Sequence, residues 1–472
     1  MSKLSLSRRL AAGFVATLFL TACTSGPDYQ PPHETLTAYH TEAPAAAAPV
    51  SLDRWWIGFN DPELTSIVER ALAQNLDLAA SLARVKQAQA AADAAGAKLM
   101  PTGELQTQVT GERQSLESPL SKIATNGPGY YRNIAQYDAG VGASWEIDIS
   151  GGLHRDLEAA AATAQAAEAE HAGTRITVAA DAADAYLQIR GFQARLALAE
   201  RQIAADDHLL DLVRLRQDQG IATDREVAQA DALAAQSRAL LPPLRIGLEA
   251  QLNRLDVLLG AQPGTYAKEL ATPAAIPAIP AVTPGDPVDL LRRRPDIVAA
   301  ERQLAASNAR IGSAISDYYP KLNLSALLGF ESINPQQLLS ARAFQPQAVA
   351  GLRWRLFDFG KVDAEVDNAK GANGEALAQY RSIVLRATED VENALTGLVQ
   401  NAELSRQLTR ETRSLTRARD TAEEAYRGGA VSLIDVVDSD RQLLIAQDDL
   451  ARVEADTARA AVRSYRALGG GW

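Results

Sequence analysis

The 472-residue sequence predicts a mainly α-helical chain with a small transmembrane β part, built from a unit that occurs twice. Three observations carry that class. Residues 153–219 and 361–427 are proline-free runs of 67 residues each. Four short stretches alternate apolar and polar residues with a period of two. Landmarks of the first half return in the second at a fixed spacing.

The chain opens with MSKLSLSRR, which carries Lys3, Arg8 and Arg9 and no acid, and continues into an apolar run from Leu10 to Leu20. A helix needs about 20 residues to cross about 30 Å of hydrocarbon. This run is shorter and reads as a secretory signal. Leu20-Thr21-Ala22-Cys23 follows: an apolar residue, two small ones and the only cysteine of the chain. That is the pattern of a bacterial lipobox, in which small side chains admit a peptidase and the thiol accepts a diacylglyceryl group. Residues 1–22 are expected to be removed and Cys23 to become a lipid-bearing first residue. Each buried CH₂ of its acyl chains adds about 0.8 kcal/mol of membrane affinity. Thr24, rather than Asp, comes next, which favours the outer membrane. With Cys23 acylated, no thiol is left for disulfides, metals or nucleophilic catalysis.

Removing the three cations of the signal takes the net charge from −11 to −14, which argues against nucleic acid as a partner. Beyond the signal no apolar run reaches 18 residues, so any further membrane span must be a β-barrel. The five histidines show no metal-ligand spacing, and no Gly-rich phosphate loop follows a strand. No enzymatic chemistry, metal or cofactor is expected, apart from the covalent lipid on Cys23.

Trp145 in SWEIDISGG matches Trp354 in RWRLFDFGK at an offset of 209 residues, and Gly220/Gly429, Asp231/Asp440 and Gly260/Gly469 keep it. Asp77/Asp296 and Pro101/Pro320 share an offset of 219, so the difference falls in one loop between Pro101 and Trp145. A register held this long means a duplicated unit. The expected plan is a signal (1–22), an N-terminal extended segment (23–60), repeat 1 (61–260), a Pro-rich linker (261–286) and repeat 2 (287–472).

Each repeat begins with a helix, from about Pro62 to Lys98 and from Pro287 to Asp317, with proline in the first turn. Two alternating stretches follow. The first, near Thr102–Arg113, is the weaker. In YDAGVGASWEIDIS, Ala139, Val141, Ala143, Trp145, Ile147 and Ile149 oppose Asp138, Ser144, Glu146 and Asp148. In KLNLSALLGFE, Leu322, Leu324, Ala326, Leu328 and Phe330 oppose Lys321, Asn323, Ser325 and Glu331. In AGLRWRLFDF, Leu352, Trp354 and Leu356 oppose Arg353 and Arg355. Such strands suit a barrel apolar outside and polar inside, although a half-buried soluble sheet alternates in the same way. Four strands cannot close a barrel, which needs about eight, so the chain would lend strands to an oligomer. Two copies would give eight strands and a filled interior; three would give twelve and room for a lumen. The 67-residue runs, at about 1.5 Å per residue, make helices of about 100 Å that must pack on other long helices.

After the second run, Gly428-Gly429 breaks the helix and Ser432 can cap the next. Ile434, Asp435, Asp438 and Arg441 then share roughly one helical face, a pattern equally suited to a solvated acidic surface. In repeat 1, Glu226 and Gln229 take the places of Asp435 and Asp438.

The segments CTSGPDYQPP, WWIGFNDPELTSIVERALAQNLDL, LLPPLR, DLLRRRPDIVAAERQLAASNARIGSAISDYYPKLNL, WRLFDFG and YRGGAVSLIDVVDSDRQLL together resemble the TolC/OprM-like outer-membrane factors, specifically NodT-type efflux lipoproteins, over essentially the whole mature chain. The resemblance implies a homotrimer whose four strands per subunit form a twelve-stranded barrel, with the long helices forming a periplasmic α-barrel. It implies an exit duct in the outer-membrane lipid that works with a periplasmic adaptor (a membrane fusion protein) and an inner-membrane RND pump to pass drugs or other small molecules. Ile434 and Asp438 match the family's apolar and acidic constriction positions and Arg441 its nearby arginine, with Asp435, Glu226 and Gln229 beside them. Pro242-Pro243 is expected to break a helix at an equatorial belt. The competing readings are a duct for protein or polysaccharide secretion and a lipid-anchored scaffold without a pore.

Overall fold

Proline and capping residues decide where the helices run. A computed structural model describes residues 24–41, 51–124, 127–128, 130–283 and 285–472; the expected signal and Cys23 lie outside them. The described residues form two compact units, one within 24–32, 86–165 and 301–378 and one within 33–85, 166–300 and 379–472, so each repeat contributes to both.

A 3₁₀ segment at Leu52–Phe59 precedes α1 (Pro62–Gln74) and α2 (Leu76–Ala97). Next come β1 (Thr102–Arg113), β2 (Asn133–Ile147) and α3 (Gly152–Asp218). Repeat 1 ends with α4 (Asp224–Arg238) and α5 (Leu241–Leu258). Repeat 2 supplies α6 (Pro295–Ser316), β3 (Lys321–Ser332), β4 (Phe344–Arg353), α7 (Lys361–Arg427) and α8 (Leu433–Ala467). α3 and α7 are each 67 residues long, as the proline-free runs require. Pro242-Pro243 separates α4 from α5, whereas the equivalent Ala451-Arg452 lets α8 run on for 35 residues.

Several boundaries differ from expectation, among them those of β2, which begins at Asn133 and stops at Ile147, leaving Ile149 in the bend before α3. The first helix breaks at Asn75, whose backbone is extended (ψ 131°) and whose Oδ1 accepts the Leu78 amide at 3.0 Å, starting α2 afresh. In repeat 2 the helix begins at Pro287 as expected, with a 3₁₀ turn (Pro287–Asp289) and a short α-helical segment (Leu290–Arg293). It is interrupted at Arg294, which precedes a proline and is pushed to ψ 115°, and α6 starts afresh at Pro295. β4 covers 344–353 and stops before Trp354: Phe359 (φ 54°) and Gly360 turn the chain, and Asp358 accepts amides at the start of α7.

The first unit holds an antiparallel sheet in the order β1-β2-β3-β4. The core of the second gathers Trp55, Trp56, Phe59, Leu64 and Ile67 with Tyr186, Leu187, Leu255 and Tyr465. Trp55 stacks on Tyr465 at 5.4 Å between ring centroids. Asp61 fixes α1 there: one carboxylate oxygen accepts the Glu63 and Leu64 amides, the other the Tyr186 hydroxyl at 2.7 Å.

Candidate functional site

Pairing register sorts the sheet into two faces. Leu105, Val141, Leu328 and Pro346 are cross-strand partners in one row, and Ala143, Ala326 and Ala348 in the next; Trp145, Leu324 and Ala350 share the same face. Gln108, Asp138 and Glu331 form a row on the other face, as do Gln106, Gly140, Gly329 and Gln345. Leu105 (75% exposed), Val141 and Leu328 lie open, so a contiguous apolar face is presented outward. β1 and β4 each pair on one side only, leaving two free edges.

One end of the sheet is fixed by a duplicated device. The Trp145 indole donates to the Leu99 carbonyl and the Trp354 indole to the Tyr318 carbonyl, both at 2.9 Å, and 99 and 318 are equivalent positions. At the same end of β2 the chain that follows Cys23 is clamped. The Ser25 amide donates to the Ser150 carbonyl at 3.1 Å, and the buried Arg155 donates to the carbonyls of Ser25 and Gly26 and to Asp28. Gly26 (φ 83°) has no room for a side chain: a Cβ there would lie 2.5 Å from the Gly312 Cα.

In the second unit, two helical hairpins turn at Gly220 (φ 72°) and Gly429 (φ 75°). Leu209, Leu210 and Val213 of α3 pack there with Leu233 of α4, Tyr426 of α7, and Leu433 and Val436 of α8. Arg216 lies over the Tyr426 ring at 4.4 Å and donates to its carbonyl at 3.1 Å, tying α3 to α7. Ile434 (57% exposed), Asp438 and Arg441 share an outward face of α8. Asp438 accepts from Arg441 at 3.0 Å and from Gln442 at 2.8 Å. Asp435 and Glu226 do something else: they reach back to cap their helices. Asp435 accepts the Ser432 amide and hydroxyl at 2.9 and 2.7 Å, and Glu226 those of Thr223 at 2.7 and 2.8 Å. These bonds hold both carboxyls below their ordinary range. Gln229 sits half-buried one turn along α4.

Sequence reasoning passed over a buried polar cluster close to Asp438. Asp206 and Gln202 of α3, Ser237 of α4 and Asp440 of α8 are all buried. The signal was present: Leu433, Val436, Asp440, Leu443 and Leu444 follow helical periodicity, so Asp440 falls on the apolar face.

The family described as outer membrane efflux protein matches residues 67–261 and 287–470, covering both repeats. The chain belongs to the outer membrane efflux protein family. The pyoverdine export outer membrane protein OpmQ of Pseudomonas putida is 34% identical to this efflux channel over 437 residues, 91% of each chain. Nodulation protein T of Rhizobium leguminosarum bv. trifolii is 30% identical, covering 97% of this chain and 96% of its own. Among solved structures, the outer-membrane channel OprN has a TM-score of 0.84 at 33% identity, covering 95% of this chain and all of its own. The Campylobacter jejuni CmeC channel, at 20% identity and a TM-score of 0.85, covers 95% of each chain and shares the fold. The protein is thus an outer-membrane efflux channel, and the apolar sheet face is the part suited to lipid.

Proposed function

We propose that the protein is the exit duct of a tripartite RND-type efflux system, a homotrimer that passively conducts small molecules handed on by an inner-membrane pump and a periplasmic adaptor. The observation that carries this reading is the four-stranded sheet with one apolar face and two free edges. Three copies, edge to edge, complete a twelve-stranded barrel with a polar lumen. Lipid on Cys23 anchors the chain close to the end of β2, where Ser25 is held on Ser150. Relatives named for pyoverdine export, toluene efflux and antibiotic efflux support small-molecule cargo. Ile434, Asp438 and Arg441 form the periplasmic gate, with the Asp438–Arg441 pair neutralising the acid while the channel is shut.

In mild detergent the full chain is expected to run as a heat-modifiable trimer and, in planar bilayers, to form cation-preferring pores. Asp438→Ala and Arg441→Ala should raise its conductance. A monomer that passes no ions overturns the duct, and wild-type conductance in both variants overturns the gate.

A further inference from the structure

We infer that the tip carries a latch: a proton shared by the buried carboxyls of Asp206 and Asp440 holds the gate-bearing start of α8 against α3, and its loss favours opening. The inference rests on the reading of this tip as the closure of the duct.

The two acids are 2% and 5% exposed and sit where α3, α4, α7 and α8 meet. The Gln202 amide donates to both, reaching Asp206 at 2.9 Å and Asp440 on its other side. From α4 the Ser237 hydroxyl donates to Asp206. From α7 comes Arg419, but its Nε stops 4.0 Å from Asp440 and has no hydrogen-bond partner. Its guanidinium is drawn instead to Asp420 and Glu423, at 3.2 and 3.3 Å. On α8 itself Arg441 is turned to Asp438. Among the described residues, these two buried carboxyls therefore have no cation in hydrogen-bonding contact, and like charges so placed cannot both ionise cheaply. Burial, then the neighbouring Asp206, pushes the Asp440 carboxyl up to about 7.

Duplication does not account for the site. The repeat equivalents of Asp206 and Ser237 are Leu415 and Ala446. Asp231, the equivalent of Asp440, is exposed on α4, 3.6 Å from Arg214. The cluster therefore joins α3 and α4 to the α7–α8 hairpin that carries Ile434 and Asp438, and the duplication did not copy it.

The sign follows from which state holds the proton more tightly. In the closed tip Asp440 titrates at about 7; hydrated in a parted tip, it returns towards 3.8. The closed state is therefore favoured most in acid, loses that advantage as pH rises between those values, and levels off above about 7.

Planar-bilayer recordings of the full chain between about pH 5 and about pH 8 test this. The wild-type open fraction should rise about five-fold or more towards neutral pH and then flatten, the lower end of typical two-site coupling. Asp440→Asn, which keeps a neutral hydrogen-bonding group, should stay at the acidic level throughout. A wild-type profile in Asp440→Asn, or a flat profile in the wild type, overturns the latch. Should the wild type form no pores at all, the duct reading fails instead, and amide exchange of residues 440–445 decides the latch. Corrected for intrinsic rates, exchange should quicken over the same interval in the wild type and not in Asp440→Asn; equal behaviour in both overturns it.

Discussion

In repeat 1 the helix before the strands is interrupted at Asn75; in repeat 2, 219 residues later, it is interrupted at Arg294. One is a capping amide and the other a guanidinium preceding a proline, yet they serve the same backbone. Asn75 donates to the carbonyl of Leu258 at 3.0 Å, and Arg294 to that of Ala467 at 3.2 Å. Leu258 and Ala467 are equivalents near the ends of α5 and α8, where carbonyls lack helical partners. Beside them Gly260 and Gly469 fold back onto the carbonyls of Gln74 and Arg293, again equivalents. What the duplication kept is a demand for one donor and one close approach; the side chain that answers it was free to change.

The glycines test this most severely. A Cβ on Gly260 would sit 2.6 Å from the Gln74 oxygen, and one on Gly469 3.0 Å from the Arg293 oxygen; both residues have positive φ. Gly260→Ala should cost about 3 kcal/mol and Gly469→Ala about 2 kcal/mol, combining backbone strain with overpacking. Thermal unfolding of the detergent-solubilised protein reads both. A Gly469→Ala at least as damaging as Gly260→Ala would break the parallel.

The donors come next. Arg294 also reaches the Ala387 carbonyl and pairs with Asp296 and Asp390 at 2.7 and 3.0 Å. Arg294→Ala should therefore cost about 2 kcal/mol, while Asn75→Ala, losing a cap and one carbonyl bond, should cost about 1 kcal/mol. Arg294→Asn sharpens the comparison: if one donor is the shared requirement, it recovers part of the loss in the same unfolding measurement, and no recovery counts against that view.

Much of this was legible in the sequence because proline, glycine and period-two patterning act locally. The bounds of α3, α7, β1 and β3 follow from them within a residue. The end of β4 did not, because the alternation of RWRLFDF continues after the chain has begun turning towards α7. At the tip, one helical face gathered Ile434, Asp435, Asp438 and Arg441, but spacing cannot say which carboxylate turns back to cap its own helix. The buried Asp206–Asp440 site depends on four helices meeting, which a single helical pattern does not reveal.

The two tips carry the smallest expected effect and the finest comparison. Both turns use a hydroxyl followed three residues later by a carboxylate, but Thr223 Oγ1 also accepts the Glu226 amide at 3.3 Å. Thr223→Ala should cost about 1 kcal/mol of local stability, and Ser432→Ala less. Both carboxyls are held below their ordinary range, so their contribution is present above that range and is lost as pH falls through the lowered values. Acidification should therefore fray the start of α4 and of α8, seen as faster amide exchange at residues 224–228 and 433–437 after correction for intrinsic rates. On α8 this runs against the Asp206–Asp440 latch, which tightens in acid. The two effects separate by position and by variant. Asp435→Asn should remove the acid-induced fraying at 433–437 while leaving the latch's response intact around 440–445. If that substitution abolished both responses, cap and latch would be one cooperative unit, and the second tip could no longer be compared with the first as a simple capped turn.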